Sequence, residues 1–273
     1  MTSTEQMTDP AVGGCGCGSG GCGGVCSTTP DEGSVDLASL PLVPVHVYLD
    51  LVCPWCLIGK KRLDTALSQF TAAGGRVEVS YLPYQLDPDA PAQSRELAPV
   101  MAAKFGSADK AAQVMAHVSQ IAAAEGIEMD FDAAIGVNTS DAHRLLFAAG
   151  KQSSEVQSTL AQKLLEAHLC HGVDISQVAV LEQLAQESGL DLDVERYIAT
   201  GENTESIATL EEEARAGGIS SVPTYVFAGR WGVSGAQEPG TLVTLLTEVA
   251  KTLGGAEVEQ GTGGGCCGGG CCG

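Results

Sequence analysis

Two cysteines separated by two residues are the side chains in this sequence best suited to chemistry, and the stretch from Cys53 to Cys56 reads CPWC. Thiols at this spacing can close a short disulfide and exchange it with another disulfide by thiolate attack. They could also supply half of a zinc site or lie inert in a core. We favour thiol–disulfide exchange, because residues 43–253 hold no second Cys-x-x-Cys pair and Pro-Trp at a helix start is a poor place to bury two thiols.

The position of the pair predicts different roles for its two thiols. Residues 43–52 are rich in apolar and β-branched side chains and predict a buried strand, and a helix then begins at Cys53 with Pro54 in its first turn. Unpaired N–H groups and the helix dipole stabilise a thiolate there, so we predict a lowered pKa for Cys53. Cys56 shares the buried stripe of the helix with Gly59, Leu63, Leu67 and Phe70. We therefore expect Cys53 to be the exposed attacking thiolate and Cys56 the shielded resolving thiol.

The elements that must position this pair run in the order strand, helix, strand, helical block, hairpin, helix. The first helix stops at Gly74-Gly75, and residues 76–86 predict the second strand. Ala-, Leu- and Glu-rich segments predict helices near residues 95–105, 108–125, 140–150, 154–171, 176–188, 193–200 and 203–217. Thr224–Phe227 and Trp231–Ser234 predict the hairpin, and the last helix has an apolar face at Leu242, Leu245, Leu246 and Val249.

This order predicts an α/β protein with a thioredoxin-like βαβ…ββα fold and a large all-helical inserted domain. A right-handed crossover makes the first two strands parallel, and the hairpin supplies an antiparallel edge. We assign residues 43–92 and 218–253 to the thioredoxin-like domain and residues 93–217 to the inserted domain. Residues 1–42 and 254–273 are Gly- and Cys-rich without helical or strand periodicity, and they are predicted to be disordered tails.

The charge of the chain bears on its partners. Its 14 Lys and Arg residues against 34 Asp and Glu residues give a net charge of −20, which disfavours nucleic acid and anionic membrane surfaces. No apolar run approaches the ~20 residues that span a bilayer. The first residues have neither a basic start nor an apolar segment, so we expect a cytoplasmic location. The oligomeric state is left open.

Eight of the eleven cysteines lie in the two predicted tails, at Cys15, Cys17, Cys22, Cys26, Cys266, Cys267, Cys271 and Cys272. Thiolates on a glycine-rich chain could wrap a soft ion such as Zn²⁺ or Cu⁺. They could equally be incidental thiols of a flexible tail, or relay electrons to Cys53. We expect that the CPWC chemistry itself requires no cofactor.

Four segments, in this order and spacing, resemble the DsbA family of thioredoxin-fold proteins, and specifically its FrnE-like branch. They are LDLVCPWCLIGKKRLDTAL, YLPYQLDPDAP, NTSDAHRL and GISSVPTYVFAGRWGVSGAQEP. The resemblance covers about residues 43–250. It implies a thioredoxin fold with an inserted helical domain and thiol–disulfide oxidoreductase or isomerase activity. It also implies a cis-proline loop at Val222-Pro223 opposite the cysteines, where backbone before the proline pairs with an extended substrate.

The segment NTSDAHRL contributes further candidate residues, with two interpretations open. By itself it predicts a helix capped by Thr139 or Ser140, with His143 at the surface or in the core. The resemblance implies instead that the segment faces the cysteines, so that His143 tunes Cys53 or contacts substrate. The substrate-binding residues we predict are Pro54, Trp55, Val222, Pro223, Asn138, Thr139 and His143.

Two residues near these segments are given structural roles. We expect Lys60 to be solvated on the exposed side of the first helix, and Cys170 to be a buried thiol.

These features predict a cytoplasmic thiol–disulfide oxidoreductase or isomerase whose partners are proteins or small thiols that carry disulfides. One alternative is a Zn- or Cu-binding protein that uses the cysteine-rich tails. Another is a reductase or isomerase of a small electrophile that depends on a low-molecular-weight thiol. The family that the chain resembles includes isomerases of chromene carboxylates that carry serine in place of the cysteine pair. This chain keeps both cysteines, which favours a redox reaction over isomerisation.

Overall fold

The first strand lies at the centre of the main sheet. The computed structural model describes residues 36–261, with side chains as far as residue 255. The strands are β1 (Val43–Leu49), β2 (Val77–Pro83), β3 (Arg95–Glu96), β4 (Ile135–Gly136), β5 (Thr224–Phe227) and β6 (Trp231–Ser234). The helices are α1 (Pro54–Ala72), α2 (Leu97–Phe105), α3 (Ala108–Ala124), α4 (Ser140–Gln152), α5 (Ser154–His171), α6 (Val178–Glu187), α7 (Val194–Ala199), α8 (Thr204–Ala216) and α9 (Pro239–Gly261).

The main sheet has the strand order β2-β1-β5-β6. Strand β1 pairs with β2 in parallel, and both β1–β5 and β5–β6 are antiparallel. This confirms the predicted parallel first pair and antiparallel hairpin. The first two strands are both shorter than predicted. Strand β1 ends at Leu49 because the chain turns at Asp50, whose carbonyl accepts a hydrogen bond from the Cys53 N–H at 3.1 Å.

Helices α1 and α9 pack against each other. Helix α1 buries Leu63, Ala66 and Phe70, while Leu67 is half-buried. Its end is set by Gly74, whose φ of +94° lies in the left-handed region that favours glycine. The predicted stop at Gly74-Gly75 is therefore confirmed.

Helices α2–α8 form the insertion between β2 and β5, and α4, α5 and α8 pack on β2. Side-chain caps start several of these helices: Ser107 accepts from the Lys110 N–H, and Ser153 accepts from the Val156 N–H. The prediction of an all-helical insertion is wrong in one detail, since the two-residue strands β3 and β4 pair within it. Such short strands leave no period-2 pattern to detect in a sequence.

The predicted outer boundaries differ from the structure at both ends. A 3-10 helix at Leu37–Ser39 lies before the predicted start at residue 43, and Arg76 binds the Leu40 carbonyl at 3.0 Å. Helix α9 continues to Gly261, past the predicted end at residue 253. One hydrophobic core runs from β1 through α4, α5 and α6 of the insertion to α9, so the internal boundaries at 92/93 and 217/218 stay a prediction. No helix between residues 36 and 261 is long and apolar enough to cross a bilayer.

Candidate functional site

The CPWC segment forms the turn from β1 into α1. Cys53 is the N-cap residue, with extended backbone at φ −90° and ψ 114°, and Pro54 occupies the first helical turn. The Cys53 carbonyl accepts a hydrogen bond from the Cys56 N–H at 2.9 Å. Proline fits here because its missing N–H would have no helical partner. The first cysteine thus lies at the positive end of the helix dipole, as its sequence position predicted.

Both thiols are free and buried. Cys53 is 5% exposed and Cys56 is 1% exposed. The predicted order of burial is present, but the expectation that Cys53 is an exposed thiol is wrong. Residues distant in sequence cover it: its Sγ lies 3.7 Å from the Val222 carbonyl oxygen, on the segment that leads into β5.

The two thiols have opposite pKa shifts. A hydrogen bond from the Cys56 thiol, helped by the backbone N–H groups of Cys56 and Trp55, lowers the pKa of Cys53 against the opposing effect of burial. Burial raises the pKa of Cys56 well above its usual value, and the neighbouring Cys53 raises it further. Cys53 is therefore the thiol that ionises first, which suits it to nucleophilic attack.

The segment facing the cysteines contains a cis peptide bond between Val222 and Pro223, as the family resemblance implied. Both residues are buried. Pro54 and Trp55 are half-exposed at the start of α1. These four residues surround the thiols from two elements, and their role in substrate binding remains a prediction.

A buried carboxylate that was not predicted from the sequence, Asp50, lies beneath the cysteine pair. Asp50 is 1% exposed. Its Oδ2 accepts the Leu86 N–H at 2.7 Å, and its Oδ1 accepts the Thr139 hydroxyl at 3.1 Å. Its charge adds to the factors that raise the pKa of both cysteines. The available signal was an acidic residue within the apolar run just before CPWC.

Residues of NTSDAHRL reach the site through this carboxylate. His143 Nε2 lies 3.4 Å from Asp50 Oδ1, and His143 and Thr139 are both almost fully buried. No hydrogen bond joins His143 to Cys53 among the described residues, so His143 reaches the thiol through Asp50, and its contact with substrate stays a prediction. Thr139 is the N-cap residue of α4 but makes no capping bond with its side chain, and Asn138 before it accepts the Ser140 N–H at 2.9 Å.

The expectation of a solvated Lys60 is wrong. Lys60 is 4% exposed, and its Nζ binds Asp64 at 2.9 Å and Ser158 at 3.2 Å. Ser158 belongs to α5, so the insertion covers this face of α1, which the sequence of α1 could not reveal. Cys170 is half-buried rather than buried.

The described residues around the cysteine pair provide no metal site. Within residues 36–261, no group of three or more His, Cys, Asp or Glu side chains could hold a metal ion. The eight tail cysteines fall outside that range, so the Zn or Cu site stays a prediction. A cavity of about 830 Å³ lies between α2, α3 and residues 129–135, and none of the predicted site residues lines it.

A family model described as the DSBA-like thioredoxin domain matches residues 44–247. The uncharacterized protein YwbO of Bacillus subtilis (strain 168) is 29% identical over 153 residues, which covers 55% of this chain and 68% of that protein.

Two solved structures have folds similar to that of this chain. The probable DsbA oxidoreductase SCO1869 from Streptomyces coelicolor is 28% identical with a TM-score of 0.69, over 76% of this chain and 89% of that one. The cytosolic disulfide reductase DsbM from Pseudomonas aeruginosa, with GSH, is 18% identical with a TM-score of 0.52, over 79% of this chain and 99% of that one.

Proposed function

Because the chain belongs to the DSBA-like thioredoxin domain family, we propose that it is a thiol–disulfide oxidoreductase or isomerase acting through Cys53 and Cys56. The observation that carries this proposal is the opposite pKa shift of two adjacent thiols at a helix start. Within the family, we propose the FrnE-like branch.

In the proposed reaction, the Cys53 thiolate attacks one sulfur of a substrate disulfide. A mixed disulfide forms, and the other substrate sulfur leaves as a thiolate that takes up a proton. Cys56 then attacks the Cys53 sulfur, closing the Cys53–Cys56 disulfide and releasing the second substrate thiol. Two electrons pass from the cysteine pair to the substrate, and the reverse sequence oxidises a dithiol.

Substrate is proposed to dock between the start of α1 and the Val222-Pro223 segment. The half-exposed rings of Pro54 and Trp55 provide apolar contact, and the backbone at Val222 lies close enough to Cys53 to align an extended chain beside the thiolate. Thr139 and His143 support the site from beneath through Asp50, and contact of Asn138, Thr139 and His143 with bound substrate is part of the proposal. Proteins and small thiols that carry disulfides are the proposed partners.

A cytoplasmic location is part of the proposal. In a reducing compartment the pair is kept as thiols, so the net activity would be reduction or isomerisation. The cytosolic disulfide reductase DsbM, which has the same fold, provides a precedent.

The test is insulin reduction and recovery of scrambled ribonuclease by the full-length protein. We expect Cys53→Ser to abolish both activities, and Cys56→Ser to accumulate mixed disulfides because attack proceeds without resolution. Cys170→Ser is the matched control, since it removes another free thiol from outside the pair. Full activity of Cys53→Ser would refute the proposal.

Metal binding by the tails is a second proposal, based on eight cysteines in two short glycine-rich segments. Elemental analysis of the reduced full-length protein should find stoichiometric Zn or Cu. Serine at those eight positions should abolish it. A metal-free wild-type protein would exclude the proposal.

A further inference from the structure

The buried hydroxyl of Tyr225, near the cysteines, has no hydrogen-bond partner among the described residues. Tyr225 lies on β5 and is 0% exposed. Leaving a buried hydroxyl without a partner is unfavourable, because its hydrogen bonds to water are lost and not replaced. A buried group of this kind needs an explanation, and a hydrogen-bond acceptor that forms during the reaction would provide one.

The hydroxyl lies against the face of α1 that carries Cys56. A Cβ atom at Gly59 would lie 2.5 Å from the Tyr225 oxygen and 2.8 Å from Pro223 Cγ. Gly59 follows Cys56 by three residues, and residues at this spacing are neighbours on one helix face. The segment from Val222 to Tyr225 therefore runs beside α1, with Val222 at Cys53 and Tyr225 one turn beyond Cys56.

The charges around the hydroxyl keep it protonated. Burial raises the pKa of Tyr225 far above its usual value, and the nearby Cys56 thiolate raises it further, with a smaller opposing effect from Arg62. Tyr225 is therefore a donor at any physiological pH. Its neighbour Cys56 is the group that must become an anion in the resolving step.

We propose that the Tyr225 hydroxyl donates a hydrogen bond to the Cys56 thiolate as that thiolate attacks the mixed disulfide. This inference rests on the function proposed above. In this step a bond forms between the Cys56 and Cys53 sulfurs, and the bond between Cys53 and the substrate sulfur breaks. The electron pair leaves with the substrate sulfur, which takes up one proton for the one lost from Cys56.

The need for this donor arises only in the mixed disulfide. In the free enzyme the Cys56 thiol donates to Cys53, which lowers the pKa of Cys53. Once the Cys53 sulfur is bonded to substrate, it is no longer an anion that attracts this proton. Cys56 must then ionise in a buried setting that opposes its charge, and a nearby O–H group offsets that cost.

The experiment compares full-length wild-type protein with Tyr225→Phe. Each reduced protein is mixed with glutathione disulfide, quenched with acid at set times, and the peptide holding Cys53 and Cys56 is quantified by mass spectrometry. We expect Tyr225→Phe to form the Cys53–glutathione mixed disulfide at the wild-type rate. Its conversion to the Cys53–Cys56 disulfide should be about tenfold slower, with a pH profile moved to higher pH.

The matched control is Tyr197→Phe, which removes a buried hydroxyl that binds the Arg144 carbonyl at 2.8 Å in the insertion. It should leave both rates unchanged. A second measurement removes Cys53: in Cys53→Ser, adding Tyr225→Phe should raise the pKa of Cys56 seen in alkylation rates. Equal conversion rates of wild type and Tyr225→Phe at every pH would overturn this inference alone. A wild-type protein that forms neither the mixed disulfide nor the Cys53–Cys56 disulfide would overturn the proposed function, and this inference with it.

Discussion

At Cys53, the protein opposes the cost of burying a thiolate with hydrogen bonds. The Cys56 thiol and two backbone N–H groups lower the pKa of Cys53, whereas burial and the Asp50 carboxylate raise it. The carboxylate is fixed by the Leu86 N–H and the Thr139 hydroxyl, so it cannot turn away from the thiols. Asp50 therefore limits how acidic the pair becomes.

Neutralising this carboxylate should make both thiols more acidic. In Asp50→Asn we expect lower pKa values for Cys53 and Cys56, because a negative charge that opposes both thiolates is removed. Iodoacetamide should alkylate Cys53 severalfold faster at neutral pH, at a stability cost of about 1–3 kcal/mol from the altered buried hydrogen bonds. Asp89→Asn, at an exposed site, removes the same charge as a control. Unchanged or slower alkylation would contradict the role assigned to Asp50.

At the scale of elements, the contact between α1 and the cis-proline segment depends on a glycine. Gly59 lies in the middle of a helix, where alanine would ordinarily stabilise by about 1 kcal/mol. Here a Cβ would meet both the Tyr225 oxygen and the Pro223 ring, and a proline ring has little freedom to move. The close approach of these two elements holds Val222 beside Cys53.

We expect Gly59→Ala to reduce the free energy of unfolding by about 1–3 kcal/mol, because overpacking outweighs the gain in helix propensity. Tyr225→Phe should restore part of this loss by removing the 2.5 Å contact but not the 2.8 Å one. Urea denaturation of the reduced proteins measures both effects. Gly240→Ala in the first turn of α9, where a Cβ would meet nothing within 4 Å, is the control and should be neutral or slightly stabilising. A Gly59→Ala protein as stable as wild type would contradict the close packing of Gly59 against Tyr225 and Pro223.

At the scale of the whole molecule, buried polar groups connect the insertion to the sheet. From Asp50 the chain of hydrogen bonds passes through Thr139 to Gln85, whose N–H donates to Glu211 of α8 at 3.0 Å. Arg215 binds both Glu211 and the Gln85 carbonyl. Because these groups lie on four separate parts of the chain, they orient the insertion relative to the cysteines.

The insertion should also make stability depend on pH through His168 in α5. Burial lowers the pKa of His168 from its usual 6.5, although its contact with the Val173 carbonyl opposes the shift. The unfolded chain therefore binds a proton more readily, so His168 contributes stability that is present above about pH 6.5 and lost as the pH falls below it. We expect the free energy of unfolding to fall less steeply from about pH 7 to about pH 5 in His168→Gln than in wild type. His171→Gln, at the exposed end of the same helix, is the control and should lose stability with falling pH as steeply as wild type. Equal slopes of unfolding free energy against pH for His168→Gln and wild type would contradict this role of His168.

Local patterns were sufficient to predict the order of the elements and the place of the CPWC pair. The prolines, glycines and caps that begin and end α1 and α5 act within one or two turns, so they can be recognised in the sequence itself. The hairpin at β5 and β6 was predicted for the same reason.

The chemistry around the pair depended on contacts that only the tertiary structure could bring together. Asp50 meets Thr139, Lys60 meets Ser158, and Tyr225 meets Gly59, each across 89 or more residues of sequence. Distant segments also bury Lys60, which binds Ser158 of α5, and Cys53, whose sulfur lies beside the Val222 carbonyl. A residue's own sequence neighbours specify the shape of its element, whereas its solvation, and so its pKa, is decided by whatever the folded chain packs over it.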